Sequence, residues 1–343
     1  MERLSDRELT VLNLIMESYI VSAEPIGSRF IAHMIHNRLS PATIRNIMVA
    51  LEEKGYLFKP HVVAGRLPTH KAFRFYVNNL LKVKSPLREE IQIIERLLKP
   101  RYSYVEEIME DASRALATLS QFTSIVVEPK INTMLFKEVE FVKLSYHTVL
   151  ALFVTSSGIV HTRLVNTEED LDKDLLIEMK NYMNEKFGGV PFYALKEGII
   201  EDLKQDREVY NRLLKKIQEA LENIMEEGYQ RDIYIEGTST MIGAPEFSDI
   251  QKLKELFNTL EKKEKLLRLL DSFLEEEGIS VVIGSEINIQ EMHDMSIIAS
   301  PYKISDTSYG IVGVMGPIRM DYSKIIPLVD YTANKVTTIL KTM

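Results

Sequence analysis

The fold of the N-terminal region is determined by residues 40–55, SPATIRNIMVALEEKG. Ser40 is a favourable N-cap, Pro41 suits the first helical position, and Gly55 can adopt the left-handed conformation that ends a helix. Apolar residues recur between them at helical spacing, at Ile44, Ile47, Met48 and Leu51. The pattern predicts a short amphipathic helix with one buried face.

Two further helices precede this one. Ser5 and Glu8 form the pattern of a capping box, and the apolar positions that follow predict a helix to about Val21. After Pro25, a second short helix is predicted from Ile26 to Ile35. Three short helices, the last two closely connected, are typical of a helix-turn-helix unit.

A basic hairpin is predicted directly after the third helix. Tyr56-Leu57-Phe58 and Val62-Val63 are short apolar segments on either side of Lys59-Pro60-His61, and residues 64–68 resemble a turn at the tip. Thr69 is placed to cap the next helix. A hairpin in this position is the wing of a winged helix-turn-helix domain.

Charge is distributed unevenly along the chain. The whole sequence carries a net charge of -8, yet residues 1–85 contain 12 basic and 7 acidic side chains. Residues 54–84 include seven basic side chains and no acidic one. This asymmetry indicates a module that binds a polyanion, attached to an acidic body.

The third helix supplies the candidate DNA-reading residues. With its apolar stripe turned inward, the outward positions are Ala42, Thr43, Arg45, Asn46 and Val49. Arginine can bind guanine through two hydrogen bonds, asparagine can bind adenine, and small apolar groups can contact thymine methyl groups. The alternative, that Arg45 and Asn46 merely solvate a helix face, is disfavoured by the adjoining wing.

A second set of residues is predicted to contact the DNA backbone. Phosphate contacts add affinity and register without reading sequence, and helix N-termini offer free amides to phosphate. The candidates lie at the start of the second helix, in the wing and beyond it: Ser28, Arg29, Lys59, His61, Arg66, Lys71 and Arg74. A solvated loop remains the alternative for Lys59 and His61.

The remainder of the chain predicts an antiparallel α+β domain. Strand patterns cover residues 125–127, 139–144, 149–154 and 159–165, and they resume at 233–236, 281–283, 295–299 and 309–315. A charged, mainly helical block at residues 168–225 interrupts them, which predicts an inserted subdomain. A last helix is predicted to end near Leu340.

The sequence offers little for catalysis. It has no cysteine, which excludes disulfides, zinc ribbons and a cysteine nucleophile. Walker, nucleophile-elbow and His-Glu-x-x-His strings do not occur, so we expect no enzyme activity, cofactor or metal. Gly310, Gly313 and Gly316 lack dinucleotide-site spacing and are interpreted as tight turns between strands, and Arg319 and Asp321 as a structural ion pair. The N-terminus lacks the apolar core of a signal peptide, and we expect a cytoplasmic protein without membrane contact.

Several strings resemble the HrcA family, the bacterial heat-inducible transcription repressors. At the N-terminal end these are EPIGS (24–28), SPATIRN (40–46), LEEKGYL (51–57), PH (60–61) and AGRLPT (64–69). At the other end, GIVGVMGPIRMDY (310–322) is similar to the C-terminal signature of the family. The chain departs from the family pattern at Val62-Val63, Ala72-Phe73 and Ile287, where hydroxyl residues, Gly-Tyr and Asn are common.

The resemblance implies three domains. They are a winged-helix DNA-binding domain (1–85), a GAF-like α+β domain, and a dimerisation subdomain (168–230) inserted into it. Residues 86–122 are assigned to a helical linker and the first GAF-like helix, and residues 123–167 and 231–343 to the two parts of the GAF-like domain.

The resemblance also implies a homodimer that represses heat-shock (chaperone) operons. The implied partners are double-stranded DNA with an inverted-repeat operator of the CIRCE type and the GroE chaperonin, and heat stress is expected to release the DNA. Two alternatives stay open: a metabolite-responsive winged-helix regulator with a ligand in the GAF-like pocket, and a nucleic-acid-processing enzyme with an accessory winged helix.

Overall fold

The chain is a mixed α+β protein with antiparallel sheets, as the sequence predicts. The computed structural model describes residues 4–61, 65–99, 105–130, 133–167, 170–203, 231–242, 245–272, 278–305 and 308–342.

The N-terminal module, residues 4–80, contains four α-helices and a small sheet. Its elements are α1 (Asp6–Ser22), α2 (Ser28–Met34), α3 (Pro41–Glu53), β1 (Leu57–Phe58), β2 (Leu67–Pro68) and α4 (His70–Phe75), which continues as a π-helix over Tyr76–Leu80. β1 and β2 pair antiparallel. Arg66 extends this contact, since its backbone pairs with Ile26 just before α2.

Local signals set the helix ends of this module. The capping box of Ser5 and Glu8 starts α1, and the Ser40 side chain accepts a hydrogen bond from the Thr43 amide at the start of α3. After α3, Gly55 has a φ of 76°, which a side chain would strain. The hairpin differs from the prediction, because Leu67-Pro68 forms the second strand and Val62-Val63 lie outside the described residues.

A linker joins the module to the body of the protein. It contains α5 (Arg88–Leu97), and α6 (Val105–Ser120) is the first helix of the body. Tyr331 and Lys335 of the last helix both contact Glu95 of α5, with Tyr331 Oη to Glu95 Oε1 at 3.3 Å. The linker helix is therefore packed against the C-terminal end of the chain.

The body is built on a five-stranded antiparallel sheet in the order β7-β3-β10-β9-β8. The strands are β3 (Thr123–Val127), β7 (Ile233–Glu236), β8 (Ser280–Ile283), β9 (Met295–Lys303) and β10 (Tyr309–Pro317). One face packs on α6 and α11 (Tyr322–Leu340), and the other packs on α9 (Ile250–Glu261) and α10 (Lys263–Asp271). All five residues of β3 are buried, as expected for a strand covered on both faces.

A second sheet is formed by residues that lie between β3 and β7 in the sequence, although β3 and β7 are neighbours in the first sheet. It contains β4 (Phe136–Lys143), β5 (Thr148–Thr155) and β6 (Val160–Asn166), paired antiparallel in that order. α7 (Lys173–Phe187) lies along the outer strand β4, where the Asn184 side chain pairs with the backbone of Val139. α8 (Phe192–Leu203) follows, with the Phe192 ring packed against Phe136 and Phe153.

This topology differs from the predicted division of the chain. The family resemblance implies that residues 123–167 form one part of the GAF-like domain, but among them only β3 joins the five-stranded sheet. The insertion therefore includes β4–β6 as well as α7 and α8. Residues 204–230 of the predicted insertion lie outside the described residues.

Two smaller expectations are also corrected. Gly310, Gly313 and Gly316 lie inside β10 rather than in turns, and a Cβ at Gly310 would come within 2.2 Å of the Tyr302 ring. Arg319 pairs with Glu246, not with Asp321, which caps α11 by accepting a hydrogen bond from Ser323. Gly310 thus leaves room for the buried Tyr302 ring against the sheet.

Candidate nucleic-acid interface

α3 presents a polar and small-residue face to solvent. Ile44, Met48 and Leu51 are buried in the core of the module, as the apolar spacing predicts. Ala42, Arg45, Asn46 and Val49 are exposed together on the opposite side. The structure thus brings together four of the five predicted base-reading residues on one accessible surface.

The fifth residue, Thr43, is in a different situation. Its side chain is half-buried, and its Oγ1 lies 2.9 Å from the Ser40 hydroxyl oxygen. Ser40 also caps the helix through the Thr43 amide at 3.1 Å. Because these contacts fix the first turn of α3, Thr43 contributes to the position of the helix, and its role in base reading remains a prediction.

Two of the predicted phosphate contacts have partners within the module. Arg66 Nε lies 2.8 Å from Glu52 Oε2, which links the small sheet to the end of α3. Lys71 donates a hydrogen bond to the Lys54 carbonyl at 2.7 Å, and its ammonium group lies 4.6 Å from the centre of the Tyr56 ring. Both cations lie beside the end of α3, and their role in binding phosphate remains a prediction.

Four other predicted backbone contacts lie at the surface. Arg29, Lys59 and His61 are exposed, and Ser28 is half-buried at the first position of α2. Gly27 precedes it as the N-cap, and its carbonyl accepts a hydrogen bond from the Phe30 amide at 3.1 Å. The phosphate-binding role of these residues remains a prediction.

Arg74 lies at the junction between the module and the body. Its guanidinium group forms a two-point ion pair with Glu286, in which Arg74 Nε donates to Oε1 at 2.7 Å. It also donates to the Val281 carbonyl at 2.5 Å. In this conformation Arg74 is turned towards the body rather than towards solvent beside α3.

Further contacts hold the module on the body. Phe73 is 1% exposed, and its ring centre is 6.1 Å from that of Tyr19 and 6.4 Å from that of Tyr322 in α11. Arg319 of the body donates to the Ile20 carbonyl near the end of α1 at 3.3 Å. The apolar core therefore continues from the module into the body.

A separate cavity of about 540 Å³ lies beside β6 and the start of β7. Glu128 is 4% exposed there, and its carboxylate accepts a hydrogen bond from Tyr234 at 3.0 Å. Burial raises the pKa of Glu128 to about 7 and lowers the pKa of His161 to about 4. Because Arg163 and Lys263 line the same cavity, charges of both signs meet in it, and they define no single class of ligand.

The described residues contain no group of three or more histidine, aspartate and glutamate side chains placed to hold a metal ion. No helix in the described ranges is long and apolar enough to cross a membrane.

The chain resembles known proteins along its whole length. The family model described as HrcA protein C terminal domain matches residues 106–326. A heat-inducible transcription repressor HrcA of Geobacter sulfurreducens is 38% identical, and one of Syntrophobacter fumaroxidans is 34% identical; each match covers 99% of both chains. A crystal structure described as a hypothetical protein shares the fold, with a TM-score of 0.62 at 22% identity over 99% of both chains.

The repressor relatives, which match nearly the whole chain, define a transcription regulator. Within that class, the chain belongs to the HrcA family of heat-inducible transcription repressors. The resemblance seen in the terminal sequence strings is thereby confirmed over the full length.

Proposed function

We propose that this chain is a homodimeric, sequence-specific DNA-binding repressor of heat-shock operons. In this proposal the N-terminal module is a winged helix, α3 enters the major groove of each half of a CIRCE-type inverted repeat, and heat stress releases the DNA. The resemblance to the family adds the GroE chaperonin as a partner that brings the repressor to its active state.

The observation that carries the proposal is the exposed face of α3. Arg45 and Asn46 can donate and accept hydrogen bonds at base edges, and Ala42 and Val49 can contact thymine methyl groups. Their neighbours Ile44 and Met48 are anchored in the core, so the helix is held rigidly while its reading face stays accessible.

The basic residues beside α3 support the same function. Lys59 and His61 are exposed, and Arg66 and Lys71 lie close to the end of α3. Cations placed around a reading helix increase affinity for any duplex and fix its register.

The inserted sheet supports the proposed dimer. The face of β4–β6 opposite to the buried Phe153 carries an apolar row formed by Val142, Leu150 and Leu164, which are paired across the three strands. Leu164 is 62% exposed and Val142 is 43% exposed. An isologous contact between two such faces would bury them and present two reading modules to two half-sites.

The function can be tested by footprinting the purified full chain on the DNA upstream of its own operon. We expect protection of an inverted repeat. Arg45→Ala should weaken binding to the protected site by about 1–3 kcal/mol, which is roughly 5- to 150-fold, because one base contact is lost. Binding to scrambled DNA should change little.

Arg88→Ala is a matched control, because it removes the same charge from an exposed position in the linker helix α5. It should leave both affinities unchanged. Equal losses on the protected site and on scrambled DNA for Arg45→Ala would show that Arg45 reads no base, and the absence of any protected inverted repeat would contradict the proposed function.

A further inference from the structure

The contact between Arg74 and Glu286 joins a predicted phosphate ligand to an acidic side chain of the body. The pair uses two points of the guanidinium group, the geometry in which arginine also binds phosphate. A carboxylate in this arrangement therefore occupies the donors that a DNA phosphate would need.

The body holds Glu286 in place for this contact. Glu286 closes a short turn, Gly284–Glu286, after β8, and its Oε2 accepts a hydrogen bond from the Ile283 amide at 2.9 Å. Burial opposes ionisation of the Glu286 carboxyl, but the hydrogen bonds from Arg74 and from the Ile283 backbone outweigh it and lower its pKa. The side chain is thus a fixed anion at neutral pH.

The edge of the sheet adds a second acceptor. β8 is an outer strand of the five-stranded sheet, and its Val281 carbonyl accepts from Arg74. Outer strands carry backbone groups without a partner strand, so this oxygen is available to a side chain from elsewhere. Arg74 is held by a carboxylate and a carbonyl together.

His70, one helical turn before Arg74, docks on the same turn. Its Nδ1 accepts a hydrogen bond from the Ser285 amide at 3.1 Å. The ring lies against Gly284, where a Cβ would come within 2.6 Å of His70 Nδ1. Two neighbouring side chains of α4 thus contact three consecutive residues of the body.

We infer that the turn Gly284–Glu286 competes with the DNA backbone for Arg74. Binding of this residue to phosphate requires release from Glu286, so the body lowers the affinity of the module for DNA until the contact opens. This inference rests on the proposed DNA-binding function and adds a contact that regulates it.

The test compares single and double variants of the full chain on scrambled duplex DNA at several salt concentrations. Glu286→Gln keeps the size of the side chain and removes its charge. We expect it to bind DNA roughly twofold to fivefold more tightly for each module, the scale of a partly exposed ion pair. The gain should shrink as salt rises, because a phosphate contact displaces counterions.

Three variants distinguish this competition from a general weakening of the contact between the module and the body. Arg74→Ala alone should not tighten binding, and it should abolish the gain in the Glu286→Gln background. Arg74→Lys should bind at least as tightly as the unmodified chain, because it keeps the charge but loses the two-point pair. Glu291→Gln removes an equal charge from an exposed position nearby and should have no effect.

Each other outcome overturns the inference. If Glu286→Gln binds no more tightly than Glu291→Gln, there is no competition. If Arg74→Ala itself tightens binding, or if the gain of Glu286→Gln persists without Arg74, the contact restrains the module but does not withhold a phosphate ligand. A chain that binds no DNA in any variant would instead contradict the proposed function itself.

Discussion

At the scale of single residues, the ionisation of Glu128 links the stability of the body to pH. Its side chain is buried, and burial raises its pKa to about 7 from 4.5. The neutral form therefore favours the folded state. Its contribution to stability is complete below pH 4.5 and is lost as the pH rises towards and through about 7.

Glu128→Gln removes this dependence, because the amide stays neutral. We expect the variant to gain stability relative to the unmodified chain between pH 4.5 and pH 8, on the order of 3 kcal/mol at most. Denaturant unfolding at several pH values measures the difference. A difference that stays constant with pH would show that Glu128 is ionised in the folded protein at no cost.

The pH dependence of the unmodified chain does not isolate Glu128, because the ionisation of His161 changes the free energy of unfolding in the opposite direction. Burial lowers its pKa to about 4 from 6.5, so its contribution is present above pH 6.5 and is lost as the pH falls through about 4. The two effects overlap in the unmodified chain. Glu264→Gln, at an exposed position of the same cavity, controls for the loss of a carboxyl group from this region.

The sequence predicts which side chains of α3 are buried and which are exposed. It does not predict contacts between residues that are far apart in the chain. Helical spacing is sufficient to assign Arg45 to the exposed face and Ile44 to the core, because both follow from one local period. The partner of Arg74 is 212 positions away in the sequence. No local pattern can indicate such a pair, since it depends on how the module packs on the body.

At the scale of elements, the first turn of α3 depends on its N-cap. Ser40 Oγ accepts from the Thr43 amide and lies close to the Thr43 hydroxyl. Ser40→Ala should lower the free energy of unfolding by about 0.5–2 kcal/mol, because an amide of the first turn loses its acceptor. Thermal and denaturant unfolding measure this change.

Ser40→Asp provides the control for this prediction. An aspartate can accept the same hydrogen bond and interacts favourably with the positive end of the helix. It should retain most of the stability that Ser40→Ala loses. Equal stability of Ser40→Ala and the unmodified chain would show that water replaces the cap without cost.

The sequence predicts the positions of the strands more reliably than it predicts which strands pair. The alternating residues of β5 and β6 indicate strands with one buried face, and the structure has them at nearly the predicted positions. Alternation does not specify which sheet a strand joins, because an antiparallel neighbour can come from any part of the chain. For this reason the sequence does not indicate that β4–β6 form a sheet of their own, separate from that of β3.

At the scale of the whole molecule, the proposed dimer explains how so small a reading surface gives specificity. One module offers four exposed candidate reading residues. So few base contacts give limited discrimination between an operator and the many competing sites in a genome. Joining two modules makes the second binding step intramolecular, which can raise avidity roughly 100-fold to 10,000-fold. In the proposed dimer the acidic body makes this connection, and its negative charge keeps it from binding DNA itself.

Leu164→Lys tests the assignment of the dimer contact to the outer face of β4–β6. A lysine at position 164 would place a charge in the apolar row, so we expect a monomer in sedimentation and an operator affinity reduced towards that of a single module. Ile250→Lys is the control, because Ile250 is also a largely exposed apolar residue and lies on α9, outside the inserted sheet. A Leu164→Lys protein that remains a dimer would place the contact elsewhere on the chain. If the unmodified chain is a monomer in sedimentation, the proposed dimer is wrong. Specificity would then have to come from one module alone.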